Sequence, residues 1–177
     1  MALLVGRSLL FLDEACIRVC QDRAHGWAIR GRKPVLVGTN YEKKRTMIGV
    51  IAADGVRALR VQEGSATKQS FLLFVREELV PVLGPDETVC MDQLRAHKNP
   101  EVIEAIRATG ARVLFLPTYS PELNPIEMIW SWLKRQVTKI VPSTLDELEA
   151  VVEATWGRIT AELCRKCIEH CGYVMGV

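Results

Sequence analysis

Apolar residues fall into two kinds of run along this chain. Residues 8–13, Ser-Leu-Leu-Phe-Leu-Asp, form an apolar stretch too short for a helix and closed by acids, which predicts a buried strand. Residues 35–39, 46–52 and 56–62 read as further strands, and Ala53-Asp54-Gly55 between the last two is a hairpin signal. Short buried strands are predicted again at 88–91 and 112–116. Helical spacing appears first after Thr67, a cap for a helix to about Val80 that aligns Phe71, Leu72, Phe74, Val75 and Leu79; Pro81 and Gly84-Pro85 end it. A helix over 100–109 stops at Gly110. Asn124-Pro125 opens another, with Ile126, Ile129, Leu133, Val137 and Ile140 on one stripe. Thr144 to Glu147 is a capping box for a helix to about Ile159, and Thr160 caps a last one ending at Gly172. Strands first, then strands alternating with helices, predict one α/β domain with a mixed sheet flanked by helices.

Composition narrows the class without naming a function. The 177 residues suit one domain, and 49% apolar with 25% charged residues excludes disorder, collagen and low complexity. No apolar run approaches the roughly 18 residues that span a bilayer, so no membrane association is expected. The first residues lack the features of a signal peptide, and six cysteines then read as reduced thiols in a cytoplasmic protein. The net charge of +2 hides an asymmetry: residues 1–80 carry 13 basic against 8 acidic residues, and the remainder 10 against 13. Seven of the basic residues (Arg23, Arg30, Arg32, Lys33, Lys43, Lys44, Arg45) lie between 23 and 45 against one acid, with Trp27 and Tyr41 among them. Such a stretch suits a polyanion, through phosphate neutralisation and base stacking; the alternative is a solvated loop and hairpin edge.

Three acids stand at positions that chemistry favours. Asp13 closes the first strand, Asp92 the strand after the first long helix, and Glu127 sits in the first turn of the Asn124-Pro125 helix. Side chains at the carboxyl ends of neighbouring strands converge on one crevice of an open α/β sheet. Two carboxylates 4 Å apart repel by about 4 kcal/mol at an effective dielectric near 20. A divalent cation removes that cost, and hard oxygen ligands suit Mg²⁺ or Mn²⁺. Two such ions would clamp the attacking and leaving oxygens of a phosphoryl displacement. Otherwise Asp13 and Asp92 are ordinary strand-end acids and Glu127 is half of a capping box with Asn124.

The segment from Leu116 through Tyr119-Ser-Pro-Glu-Leu-Asn-Pro-Ile-Glu127 to Lys134 resembles the signature around the third catalytic acid of mariner-like transposases and their bacterial insertion-sequence relatives, the DDE superfamily endonucleases. Phe-Leu-Asp13-Glu resembles that family's first acid, and Met-Asp92-Gln-Leu-Arg-Ala-His97-Lys98 its second, with Gln93 where Asn is common. The 34 residues between Asp92 and Glu127 match the family spacing, and the segment from Gly26 to Pro34 resembles its basic segment; the likeness spans about residues 8–173. It implies a ribonuclease-H-like (retroviral-integrase-like) fold with a five-stranded sheet, core about 7–140, and C-terminal helices about 144–172. It implies catalytic and metal-binding roles for Asp13, Asp92 and Glu127, two Mg²⁺ or Mn²⁺ ions, hydrolysis at transposon ends, and attack of the freed 3′-hydroxyl on target DNA. A bacterial, nucleoid-associated protein that forms a homodimer on DNA is expected. With only about seven residues before the first strand, no helix-turn-helix is expected in this chain, so DNA recognition falls to a separate protein or a missing N-terminal domain.

Glu14 and Glu122 are the nearest rivals to these acids; alternation turns Glu14 to the opposite strand face, and Glu122 lies in the loop before the helix. His97, with Lys98, is a candidate for contacting phosphate or orienting the attacking water, or is a structural hydrogen-bonding residue. Lys134 and Arg135 are candidates for the DNA backbone, or complement the helix dipole. Trp130 and Trp132 read as core. Cys164, Cys167, His170 and Cys171 invite a zinc reading, but they share one predicted helix, and the cysteine spacing suits buried apolar positions. Two further functions compete: a ribonuclease-H-like nuclease, and a non-catalytic DNA-binding or assembly subunit.

Overall fold

In the computed structural model, which describes residues 8–19, 29–31 and 43–174, the first strand runs well past Asp13. β1 spans Ser8–Arg18. It continues because β2 (Lys44–Ala52) lies antiparallel beside it from Leu10 opposite Ala52 to Arg18 opposite Lys44. β3 (Gly55–Gln62) returns antiparallel to β2 through the expected hairpin, where Gly55 takes φ 131°. β4 (Glu87–Met91) and β5 (Arg112–Phe115) add on the other side of β1, each parallel to its neighbour. The mixed five-stranded sheet has the order β3-β2-β1-β4-β5, the ribonuclease-H-like arrangement. The strand expected over 35–39 lies outside the described residues.

Strand alternation sends successive β1 residues to opposite faces. Phe11 and Ile17, with Met47, Ile51 and Cys90, pack under α3 (Ile126–Ile140), α4 (Leu145–Trp156) and α5 (Ala161–His170). Leu10 and Leu12, with Ile48, Val50, Val89 and Met91, pack under α1 (Lys68–Phe74) and α2 (Pro100–Ala108). The C-terminal helices thus share a core with the sheet. Residues at even and odd positions of one strand report to different layers.

The helices depart from the sequence reading where backbone chemistry intervenes. Thr67 and Ser70 form a reciprocal capping box for α1. The helix then loosens into a π turn over Val75–Leu79 and tightens into a 3₁₀ turn over Val80–Val82, since Pro81 has no N–H to continue the ladder. Arg60 on β3 pins this irregular turn through Glu77 and Glu78, each at 2.7 Å. Asn124 does not cap α3 with its side chain; Pro125 holds the cap position. Of the expected stripe, Ile126, Ile129, Leu133 and Val137 are buried, but Ile140 is 55% exposed where the helix ends. Thr144 caps α4 by accepting from the Glu147 N–H, while the Glu147 carboxylate accepts from Ser143 instead of closing the expected box. Thr160 caps α5 as its position suggests, accepting from the Leu163 N–H.

Candidate active site

Asp13 lies in the interior of β1 on the α3 face and is 8% exposed. A buried acid there needs a donor, and the indole Nε1–H of Trp130 donates to its Oδ2 at 3.3 Å. The cross-strand partner of Asp13 is Gly49. A Cβ at Gly49 would fall 2.5 Å from Trp130 Cη2 and 2.8 Å from Trp156 Cη2. The two indoles stack with centroids 5.3 Å apart. Glycine therefore makes room for the ring that holds Asp13. Burial pushes the Asp13 carboxyl up to about 7, with the negative charge of Glu127 adding to it.

Asp92 follows the last residue of β4 and is more open, with its side chain 43% exposed. Its Oδ1 accepts from the Leu94 backbone N–H at 2.9 Å and lies 2.6 Å from His97 Nδ1. Partial burial raises the Asp92 carboxyl, but hydrogen bonds from His97 and Leu94 outweigh that and hold it below its ordinary value. Glu127, in the first turn of α3, is exposed.

Asp13, Asp92 and Glu127 line one cleft of about 300 Å³, closed by Pro117, Tyr119 and Asn124. Tyr119 stands 97% exposed at its rim with φ 57°. As placed, no three His, Cys, Asp or Glu side chains among the described residues come close enough to hold a metal ion. The donor set nevertheless fits a hard divalent cation: three carboxyl groups face one space, with that of Asp13 raised by burial and then by the charge of Glu127. Asn124 lines the same cleft; its buried Oδ1 has no hydrogen-bond partner among the described residues, while its Nδ2 donates to the Leu12 carbonyl at 3.5 Å. Asn124 thus faces β1 and not the α3 cap, so the capping-box alternative for Glu127 is not formed.

Neither rival acid lines the cleft shared by Asp13 and Asp92. Glu14 points to the opposite face of β1, where its Oε2 meets His97 Nε2 at 2.9 Å. Glu122 is absent from the cleft that holds Asp13 and Asp92 and lines an adjoining one of about 590 Å³, which Glu127 and Asn124 also border, beside His170 and Cys171. His97 is fully buried, with one ring nitrogen on Asp92, the other on Glu14, and its ring 4.5 Å from that of Phe71. The expectation that it meets phosphate is corrected: neither nitrogen is free and the ring does not reach the surface. Burial disfavours the imidazolium, yet the hydrogen bonds to Asp92 and Glu14 prevail and push it up to about 10.

The remaining basic candidates divide. Arg45, a DNA-binding candidate, forms an ion pair with Glu149 of α4. Lys98 donates to Gln93 Oε1 at 2.9 Å, and Gln93 Nε2 donates to the Leu116 carbonyl at 3.1 Å, so Gln93 ties the loop after β4 to the end of β5. Arg30, Lys43, Lys44 and Arg135 are exposed, and Lys134 is half-buried. Arg32 and Lys33 lie outside the described residues. Cys164 and Cys167 point into the core, where burial pushes the Cys164 thiol up to about 12, whereas His170 is exposed. Glu14, Trp130, Asn124 and Gly49 are the site residues that sequence reasoning missed as such. Only the residue following Asp13 and the indole three residues after Glu127 offered a signal, through strand and helix periodicity.

A mixed sheet of this order, with acids presented from β1, the end of β4 and the start of α3, defines a ribonuclease-H-like domain. The chain belongs to the DDE superfamily endonucleases, whose family profile matches residues 8–149. It is 30% identical over 73 residues to the Transposable element Tcb1 transposase of Caenorhabditis briggsae, a match covering 41% of this chain and 27% of that protein. Its fold is that of the Mos1 mariner transposase: the paired end complex with Mn superposes with a TM-score of 0.73 at 12% identity, over 92% of this chain and 52% of that one. The Mos1 catalytic domain with Raltegravir and Mg superposes with a TM-score of 0.63 at 12% identity, over 94% and 85%. The chain spans about half the length of the Mos1 protein in the paired end complex.

Proposed function

We propose that this chain is the catalytic core of a metal-dependent transposase that hydrolyses phosphodiesters at transposon ends and joins the freed 3′-hydroxyl to target DNA. The observation that carries this reading is the shared cleft: Asp13 from β1, Asp92 from the end of β4 and Glu127 from α3 line one space. These three carboxylates would hold two Mg²⁺ or Mn²⁺ ions. Bound there, the ions would activate the attacking oxygen and stabilise the leaving one. The chain supplies the rest. Asp13 would serve as a ligand in its deprotonated form, Trp130 keeps its carboxyl in place, and Asn124 lines the same cleft. The Mos1 complexes with Mn and with Mg accord with such ions.

DNA is the proposed substrate and partner, with Arg30, Lys43, Lys44, Lys98, Lys134 and Arg135 as contacts, in a homodimer assembled on transposon ends. Lys134 lies seven residues after Glu127, two turns along the same helix face. Residues of the core and the C-terminal helices act as one catalytic domain, in the cytoplasm of a bacterium. Supercoiled DNA and Mn²⁺ test the reading, with the wild type beside Asp92→Asn and Glu127→Gln. Nicking by the wild type, reduced by about 100-fold or more in both variants, is expected. Equal cleavage by all three chains contradicts it, and preferential cleavage of RNA–DNA hybrids would point to a ribonuclease H instead.

A further inference from the structure

We infer that Glu14 and His97 form a buried positioning pair that presents Asp92 to the metal, so that the ion's affinity is set from the opposite face of the sheet. This deepens the reading above and rests on it. The two oxygens of Asp92 are treated unequally: Oδ1 faces both His97 Nδ1 at 2.6 Å and the Leu94 N–H at 2.9 Å, and neither bond reaches Oδ2. A carboxylate gripped by one oxygen offers the other in a fixed direction. Metal-ligating groups are commonly oriented by such outer partners, whose loss costs about 10–100-fold in metal affinity.

The imidazole is fixed on three sides. Its Nε2 lies 2.9 Å from Glu14 Oε2, its face meets Phe71 at 4.5 Å, and its side chain has no exposure to solvent. Glu14 is itself anchored, because Asp13 and Glu14 are successive residues of a strand held in register against β2. One dipeptide of β1 therefore serves both aspartates: Asp13 faces the cleft directly, and Glu14 acts on Asp92 through His97. The arrangement has a counterpart at Asp13, where Trp130 Nε1 holds Oδ2. Each aspartate thus has one oxygen held by a ring nitrogen. Glu14 and His97 lie 83 residues apart, so the pair also staples the loop after β4 to β1, and the test must separate that structural role from positioning.

The double variant Glu14→Met/His97→Phe does so, since replacing a buried ionic pair by apolar side chains of similar volume is often neutral or stabilising. It retains a ring against Phe71 and removes the donor to Asp92. The proposal expects a melting temperature near that of the wild type and a half-saturating Mn²⁺ concentration raised about 10–100-fold, read by electron paramagnetic resonance titration of the free chain. Nicking at saturating Mn²⁺ is expected to fall much less than the affinity. A folded double variant with an unchanged Mn²⁺ curve overturns the proposal and leaves the pair a structural staple. Should the double variant not fold, imidazole ¹⁵N–¹H spectra of the wild-type chain with saturating Mg²⁺ decide: a His97 Nδ1 proton that stays hydrogen-bonded and shifts on Mg²⁺ addition supports it, and one that exchanges freely overturns it. Asp92→Asn is the control for the underlying reading. If that variant binds Mn²⁺ as tightly as the wild type, the metal site itself is wrongly placed, whereas loss of binding there with no effect of the pair faults only the positioning.

Discussion

Asp13 and Asp92 carry the same functional group, and their surroundings push it in opposite directions. Asp13 is enclosed beside β2 and held up to about 7 by burial and by Glu127. Asp92 is held down by His97 and Leu94. For Asp13 the folded value lies above the unfolded 3.8, so its favourable contribution to folding is complete below 3.8 and is lost as pH rises to about 7. A tenfold change in acidity corresponds to ~1.4 kcal/mol, so the cost at neutral pH is on the order of a few kcal/mol. Asp13→Asn should therefore stabilise the chain in EDTA, by a margin that grows between about pH 4 and 7 and levels off above. Urea melts across that range check it; a margin independent of pH contradicts it. Saturating Mg²⁺ should reverse the ranking, since the wild type alone gains binding energy.

Local pattern marked the candidate acids, a strand end for Asp92 and a helix start for Glu127, whereas Asp13 lies within β1, which runs on to Arg18. What holds them was not legible in the sequence. Gly49 faces Asp13 only through the β1–β2 register, and the Trp130 ring that needs its missing side chain comes from a helix 81 residues later. His97 meets Glu14 across 83 residues, and alternation alone said where Glu14 pointed but not what awaited it. Asn124 misled for a local reason: Asn before Pro is a cap signature, but its amide reaches Leu12 of β1. β1 outran its apolar run because pairing with β2, not hydrophobicity, sets its length. The β1–β2–α3 packing predicts that Gly49→Ala destabilises the chain by about 1–3 kcal/mol, since a Cβ 2.5 Å from an indole in a filled core cannot be relieved cheaply. Urea denaturation reads the loss. Because Trp130 must move, Mn²⁺ binding should weaken in the same variant, and unchanged binding would separate Trp130 from the site.

The asymmetry of charge acquires a place in the folded molecule. The first 80 residues carry the basic excess, yet part of it is consumed internally: Arg45 by Glu149, Arg57 by Asp54 and Glu87, and Arg60 by Glu77 and Glu78. Lys44 and Arg135 are exposed and Lys134 of α3 is half-buried, and these are among the cations proposed to meet a backbone. Binding of the chain to DNA should be weak and indifferent to sequence, with affinity falling steeply as salt rises. Lys134→Ala with Arg135→Ala should lower the slope of log affinity against log salt by ~0.9 for each phosphate that is no longer neutralised, whereas Arg45→Ala should leave the slope unchanged and act on stability. A slope that responds to Arg45 and not to the α3 pair would contradict this division.

At the centre stands the claim that Asp13, Asp92 and Glu127 together hold the ions that cut DNA. Anomalous diffraction from crystals of the chain soaked in Mn²⁺ tests it most directly. Two peaks at bonding distance from carboxylate oxygens of Asp13, Asp92 and Glu127, absent in crystals of Asp92→Asn, are predicted. Peaks at Glu14 or Glu122 instead, or none within the cleft at saturating Mn²⁺, would contradict it.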